Sequence, residues 1–501
     1  MRFLYNLIIS FCFISSLHAQ LVAPSPKREL RAVWLTTLSG LDWPSTRATN
    51  ATGVEKQKQE LCNILDKLQA ANFNTVVMQA RIRATVIYPS QIEPWDACLT
   101  GKYGVGPGYD PLAFAVEECH KRGMQIHAWV VAVPGNKFAQ SKALGKMALE
   151  KRVSKLCLKT SEAYMLNPGI PETADYIADI CEEITKKYDI DGINLDYIRY
   201  PEKEIQFNDA GTFKKYAHPG QSLLDWRRAN ISRCVKTIHD RVKAIKPWVA
   251  ISCSPVGKFD DTQRYPSGGW NAYRAVAQDA KRWVKEGWMD ILMPMMYFRG
   301  NHYFPFALDW QEDSNNRCIA PGLGIYLVDK GQKDWPLDIM ESEIIFGRTH
   351  GLGGQVFFRS RFVTNNTKGI YDLLKNNLYL NKAIVPALVD ENGQHSPTSP
   401  TQGNITQDPN ATTLSWQSNT DDYQYILYRS STYPVDTENS ANIYMTNLRN
   451  TSVMINVPYP TAIMPYYAVT AINRFGIESK PLELNKPHEF IKIPKITDLK
   501  P

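Results

Sequence analysis

At 501 residues the chain exceeds one ordinary domain and fits a large unit plus a small one. Hydrophobic residues at 44% and charged residues at 21% fall in the globular range, which points away from a disordered or membrane-embedded chain. The net charge of +7 is a mild excess. Its basic residues are spread through helical stretches such as Lys142 to Lys155 and Arg227 to Lys246, not set in a strip with aromatics. Nucleic acid is therefore not expected as a partner, while adhesion to an anionic envelope polymer stays open.

In chain order, Arg2, an apolar run from Phe3 to Ile14 and Ser15-Ser16-Leu17-His18-Ala19 predict a signal peptide over residues 1–19. Cys12 follows Phe11, where a lipoprotein signal would place a small residue, so the mature chain is expected to be exported to the periplasm or cell surface with no transmembrane segment. From 27 to 385, short apolar β-rich runs alternate with amphipathic helical stretches. Strands are expected to begin near Leu30, Thr75, Gln125, Gly192, Val249, Asp290, Ile319 and Gly354. Helices are expected near Lys56 to Ala71, Pro111 to Arg122, Glu172 to Lys187, Leu223 to Lys246, Ala272 to Glu286, Asp338 to Thr349 and Lys368 to Asn377. Eight strand–helix repeats predict an α/β fold, a (β/α)8 TIM barrel, over a doubly wound sheet.

Residues 386–410, rich in Pro, Ser, Thr, Asn and Gly, read as a linker. Beyond them, 411–490 carries short alternating strands at sandwich spacing. Tyr466-Tyr467, the ending Asn473-Arg474-Phe475-Gly476 and Trp416 resemble fibronectin type III domains. Eight cysteines remain after residue 19 and none forms a C-x-x-C pair, so free thiols are expected and no metal site or cofactor.

Barrel enzymes place reactive groups at the C-terminal ends of strands. The fourth strand reads Gly192-Ile193-Asn194-Leu195-Asp196-Tyr197-Ile198-Arg199, and alternation puts Asn194 and Asp196 on one face, with Arg199 close behind. After the second strand come Gln79 and Arg81, then Glu93-Pro94-Trp95. The third strand offers His127 and Trp129, the first Trp34, the sixth Tyr297. No G-x-S-x-G elbow, P-loop or H-E-x-x-H occurs. Carboxylates with Arg, Gln and flat rings suit glycosidic bond cleavage, which needs a proton donor, a second carboxylate and surfaces for sugars.

Over about residues 29 to 380 the chain resembles the glycosyl hydrolase-like family ten of bacterial envelope proteins. The resemblance runs through ELRAVWLTT, FNTVVMQARIRATVIYPSQIEPW, QIHAWV, DGINLDYIRYP and WVKEGWMDILMPMMYF. It implies hydrolysis of a bacterial polysaccharide, peptidoglycan glycan strands leading. By position, Asp196 matches the carboxylate ending strand four and Glu93 the glutamate of the E-P-W loop. Tyr197 stands where many members carry a second Asp, and Val130-Val131-Ala132 where they carry Asn-Pro-Tyr. The expectation is that Asp196 acts as nucleophile or base and Glu93 as general acid, with Asp260, Asp261 and Glu202 in reserve. Trp34, Gln79, Arg81, Trp95, His127, Trp129, Asn194, Arg199 and Tyr297 are expected to bind substrate. The rival reading is a barrel that binds carbohydrate without cutting it.

Overall fold

Runs such as Leu-Arg-Ala-Val-Trp-Leu and Thr-Val-Val-Met-Gln-Ala-Arg carry few polar side chains on either face, the pattern of strands buried on both sides beneath covering helices. The computed structural model describes residues 25–487 apart from 204, 267–268, 390–395, 408–410, 419–423 and 456–464, so the expected signal segment lies outside the described residues. Strands β1 (Leu30–Leu35), β2 (Thr75–Arg81), β3 (Gln125–Val131), β4 (Gly192–Asp196), β5 (Ala250–Cys253) and β6 (Ile291–Leu292) pair in parallel in that order, and β8 (Gly354–Phe357) pairs with β1.

The seventh strand, β7, runs as two short pieces, Cys318–Ile319 against β6 and Gly322–Leu323 against β8. Between them stands Pro321, which has no amide hydrogen to give. The Ala320 and Gly322 amides donate to Leu292 and Pro294 at 2.8 and 2.7 Å, while those of Val356 and Phe358 donate to Pro321 and Leu323 at 3.0 and 2.9 Å. These bonds join the two edges of the sheet and close an eight-stranded barrel.

The crossover helices start where side chains can cap them. Asn50 accepts from the Gly53 amide ahead of α1 (Ala51–Ala70), Asp110 caps α2 (Pro111–Lys121) with Pro at the first turn, and Ser222 caps α4 (Leu223–Ile245). Between the latter two, α3 (Glu172–Lys187) has the span expected. The helix expected over Ala272 to Glu286 is broken into Ala272–Ala275 and α5 (Ala280–Lys285). In the break, Gln278 satisfies the Val256 amide and the Ile198 carbonyl, a tertiary demand that overrides local periodicity. One unanticipated helix, α6 (Phe304–Glu312), follows β6, and α7 (Asp338–Thr349) follows β7.

Two apolar layers result. The larger lies between strands and helices, and a smaller one fills the lumen with Trp34, Trp129, Val131, Met293, Ala320 and Val356 among others. Two glycines make room for lumen rings. A Cβ on Gly322 would fall 2.9 Å from the Trp34 ring, and one on Gly192 2.6 Å from the His127 ring. All eight cysteines of the described residues are free thiols.

The C-terminal part is a small all-β sandwich. One sheet orders β9 (Thr401–Gln407), β10 (Thr412–Gln417) and β13 (Ser452–Ile455). The other orders β12 (Ile443–Leu448), β11 (Gln424–Ser430), β14 (Tyr466–Ile472) and β15 (Leu482–Glu483). Trp416 is buried between them with Leu414, Leu427, Tyr467 and Val469. The expected linker 386–410 is corrected in part, since β9 lies inside it and pairs antiparallel with β10. That strand is mostly exposed and almost wholly polar, so it carries no apolar alternation to read. The sandwich docks on the N-terminal end of the barrel, where Arg474 meets Asp189 at 2.8 Å and the Asn447 amide meets the Gly123 carbonyl at 2.7 Å.

On α7, Glu343 is 2% exposed and neither carboxylate oxygen has a hydrogen-bond donor among the described residues. Burial pushes its pKa well up, so the folded state holds the proton more tightly than the unfolded chain. Stability on its account is full below the ordinary carboxylate range and falls as pH rises above it. Glu343→Met is expected to raise the unfolding free energy at pH 7.5 by roughly 1–3 kcal/mol and to raise it much less at pH 4.5, read by urea denaturation. Equal gains at both pH values would contradict the buried-acid account.

Candidate active site

Alternation along β4 sends Gly192, Asn194 and Asp196 into the lumen. Asn194 is fully buried. Its Oδ1 accepts from Ser254 Oγ at 3.0 Å and from Trp34 Nε1 at 3.4 Å, and its Nδ2 donates to Ser252 Oγ at 3.0 Å. One amide thereby ties β4 to β1 and β5.

Two residues on, at the mouth, Asp196 is 5% exposed. Its Oδ2 accepts from Trp129 Nε1 at 3.1 Å and its Oδ1 from the Tyr197 amide at 2.7 Å. Burial raises its pKa to about 6, with the Arg199 charge and these two hydrogen bonds opposing. A carboxyl so placed can hold or release a proton near neutral pH.

Rings and one cation surround it. Tyr297 stacks on Phe358, ring centroids 5.6 Å apart and planes at 28°, and Tyr326 meets both edge-on. Burial and, second, the charge of Asp196 push the Tyr297 phenol well up. The Arg199 guanidinium lies 4.7 Å from the Tyr197 ring and 5.1 Å from the Trp270 ring. It is 4% exposed and bonds Glu202 at 2.9 Å, yet its Nε and Nη1 have no partner among the described residues. Trp270, 45% exposed on the loop after β5, was missed by the sequence reading, its one signal being a lone Trp among Gly and Asn.

Glu93 is placed elsewhere. Its side chain has no exposure, and both oxygens are taken by Arg81, Nε at 2.7 Å and Nη2 at 2.8 Å. The Tyr176 hydroxyl adds a further bond at 2.9 Å. Arg81 in turn donates to the Val131 and Ala132 carbonyls at the end of β3. The pair clamps the loop after β2 against β3, which corrects the expectation of a general acid at Glu93 and of a ligand contact at Arg81: a sealed, bidentate ion pair offers no proton to a substrate.

Two further expectations are corrected. His127 sits deeper in the lumen, fully buried, neither ring nitrogen bonded among the described residues, and burial lowers its pKa to about 4, so it is neutral and out of reach of the mouth. Trp95 packs against Gly106, where a Cβ would fall 2.8 Å from its ring, and lies with the outer apolar layer. Gln79 stays at the site in part. Its Oε1 accepts from the Thr37 and Leu38 amides at 3.1 and 2.8 Å, fixing the loop after β1, and its amide nitrogen has no partner among the described residues. Of the reserve acids, Asp260 is paired with Arg274 at 2.9 Å, whereas Glu202 shares Arg199 with the Asp196 neighbourhood. No group of three or more His, Cys, Asp and Glu among the described residues could hold a metal ion.

Residues 29–331 match the family described as Glycosyl hydrolase-like 10. The chain belongs to that family. It is 31% identical to "Glycosyl hydrolase YngK" of Bacillus subtilis (strain 168), over 96% of this chain and 97% of that one. It is 35% identical to "Glycosyl hydrolase DigH" of Escherichia coli (strain K12), over 62% of this chain and 76% of that one. Among solved structures, the glycoside hydrolase domain of PgaB (BpsB) from Bordetella bronchiseptica superposes with a TM-score of 0.50 at 11% identity, over 70% of this chain and 98% of that one. This likeness concerns the fold. The family places the chain among the glycoside hydrolases as an enzyme, and the structure gives it a barrel followed by a small all-β domain.

Removing Glu93 leaves a buried guanidinium without its counter-charge, so Glu93→Ala is expected to lose about 3–5 kcal/mol of stability in urea unfolding. Below its transition, the folded variant is expected to keep turnover within a few-fold of wild type. A loss of about 10²-fold or more without loss of stability would restore Glu93 to the chemistry.

Proposed function

We propose that this glycosyl hydrolase-like 10 protein cleaves O-glycosidic bonds in a bacterial polysaccharide, with peptidoglycan glycan strands the leading substrate and Asp196 the group that carries the proton. The observation behind it is a carboxyl at the end of β4, buried among rings, with its pKa lifted to about 6. In its protonated form Asp196 gives its proton to the glycosidic oxygen as the C–O bond breaks. Water then adds its hydroxyl to the anomeric carbon, and its proton passes to a carboxylate. Glu202, held on Arg199, is our choice for that second carboxylate. Trp34 and Trp129 build the floor of the mouth, Tyr297 a flat wall, and the free amide nitrogen of Gln79 and the unpartnered Arg199 nitrogens supply donors to sugar oxygens. The glycosidic bond as target rests on the family and on the names of its relatives, and the polysaccharide is our own reading. Export to the periplasm or cell surface rests on the N-terminal segment alone, and assignment of the sandwich to the fibronectin type III class on its closing-strand residues.

The test is incubation of the chain with peptidoglycan, peptide-stripped glycan strands and a polysaccharide panel, products being read by mass spectrometry. Asp196→Asn is expected to fold as wild type and to lower kcat by about 10²–10⁴-fold. With Asp196 as the acid, kcat/KM falls as pH rises through about 6, and the variant loses that limb. Wild-type turnover in Asp196→Asn would reject the assignment, and glycan binding with no products from wild type would mark a carbohydrate-binding barrel. Arg199→Ala is expected to raise KM about tenfold or more, because two donors leave the mouth.

A further inference from the structure

Between β3 and β4 the chain leaves the barrel for an antiparallel sheet of Pro134–Lys137, Ala163–Leu166 and Cys157–Lys159. Residues 134–166 hold seven Lys and Arg against two Glu, a net +5 in a chain whose total is +7. Along the sequence these lysines look spread out, as first read, but the fold gathers four of them. Lys142, Lys146, Lys151 and Lys159 line a cleft of about 710 Å³ with Phe138 and Tyr164. All four are exposed, and none pairs with a carboxylate among the described residues. The one acid in the wall, Glu150, takes a hydrogen bond from Ser141. Phe138 is 37% exposed, meets Tyr164 edge-on at 5.6 Å and lies 5.5 Å from Lys159 Nζ.

Like charges brought together without counter-ions repel, and an anion between them removes the repulsion. Exposed rings beside them add a surface on which a sugar face can lie. The cleft is also close to the mouth. The Val133 amide bonds the Tyr197 carbonyl at 3.3 Å, next to Asp196, and the five Cα-to-Cα steps from Val133 to Phe138 span at most about 18 Å. A chain seated at Asp196 can run on into the cleft.

We propose that this cleft is an accessory binding site for an acidic polysaccharide, the lysines taking acidic groups at intervals along the chain and Phe138 and Tyr164 a sugar ring. The proposal rests on the reading of the mouth as a glycan site, but concerns a separate surface and needs no turnover to test. Binding of polygalacturonate oligomers, of a phosphomannan and of neutral mannan is measured by calorimetry on the full chain carrying Asp196→Asn, beside the same chain with Lys142→Ala, Lys146→Ala and Lys159→Ala added. The lysines are exposed, so the variant is expected to fold, and Lys→Arg at the same three positions keeps the charge. The expected result is an acidic glycan bound with an affinity that falls with salt, weakened about tenfold or more by the three Ala changes, and restored by Arg. Whether polygalacturonate or phosphomannan binds more tightly tells carboxylate from phosphate as the acidic group. Equal affinity in the Ala variant, equal affinity for neutral mannan, or equal affinity for a single-stranded oligonucleotide of matching charge would overturn the proposal. Failure of hydrolysis in the wild type would leave these binding results standing.

Discussion

The Asn194 side chain is fully buried in the lumen, where an amide left unpaired would cost about 1–3 kcal/mol. Its partners come from other strands: Trp34 from β1, Ser252 from β5 and Ser254 just beyond it. Strand register near the mouth is therefore fixed by a polar group as well as by apolar filling. Because side chains repeat every two residues, fixing Asn194 also fixes where Asp196 emerges. A slip of one residue would turn both to the helix side.

Several buried carboxylates of the barrel are held by arginines, and Asp196 is not. Glu29 lies between Arg31 and Arg348, Asp42 meets Arg359 at 2.7 Å, and Glu93 is held bidentate by Arg81. Each carries a full counter-charge and holds loops or strand ends in place. Asp196 has only an indole, a backbone amide and the more distant charge of Arg199. Burial then outweighs stabilisation and the proton is held to near neutrality. Glu343 on α7 is likewise raised by burial but lies away from the mouth, so what sets Asp196 apart is a raised pKa together with its place at the end of β4.

The two ends of the barrel are put to different uses. The sandwich covers the N-terminal end through Asp189, Arg449 and Arg474, away from Asp196. The β3–β4 insertion enlarges the opposite end.

Periodicity made the fold legible, because buried parallel strands and amphipathic crossovers leave patterns of period 2.0 and 3.6 in the residues themselves. All eight barrel strands begin within one residue of the expected place, whereas the division of the seventh at Pro321, the pieces around Gln278, helix α6 and the small sheet between β3 and β4 escaped. The site was legible where alternation governs it, at Asn194, Asp196 and Trp129. It was not legible where a loop returns. Nothing in Glu93-Pro94-Trp95 says that its carboxylate finds Arg81 twelve residues earlier, that Trp95 tucks under Gly106, or that Trp270 comes back over Arg199. Nor does the spacing of Lys142, Lys146, Lys151 and Lys159 reveal that they face one cleft. The sequence by itself determined the barrel, the small β-domain and the carboxylate that reaches the mouth, because these follow from local period. Only the tertiary structure decided which carboxylate keeps a proton, because that depends on which charges and which apolar surfaces the fold brings within a few ångströms of it.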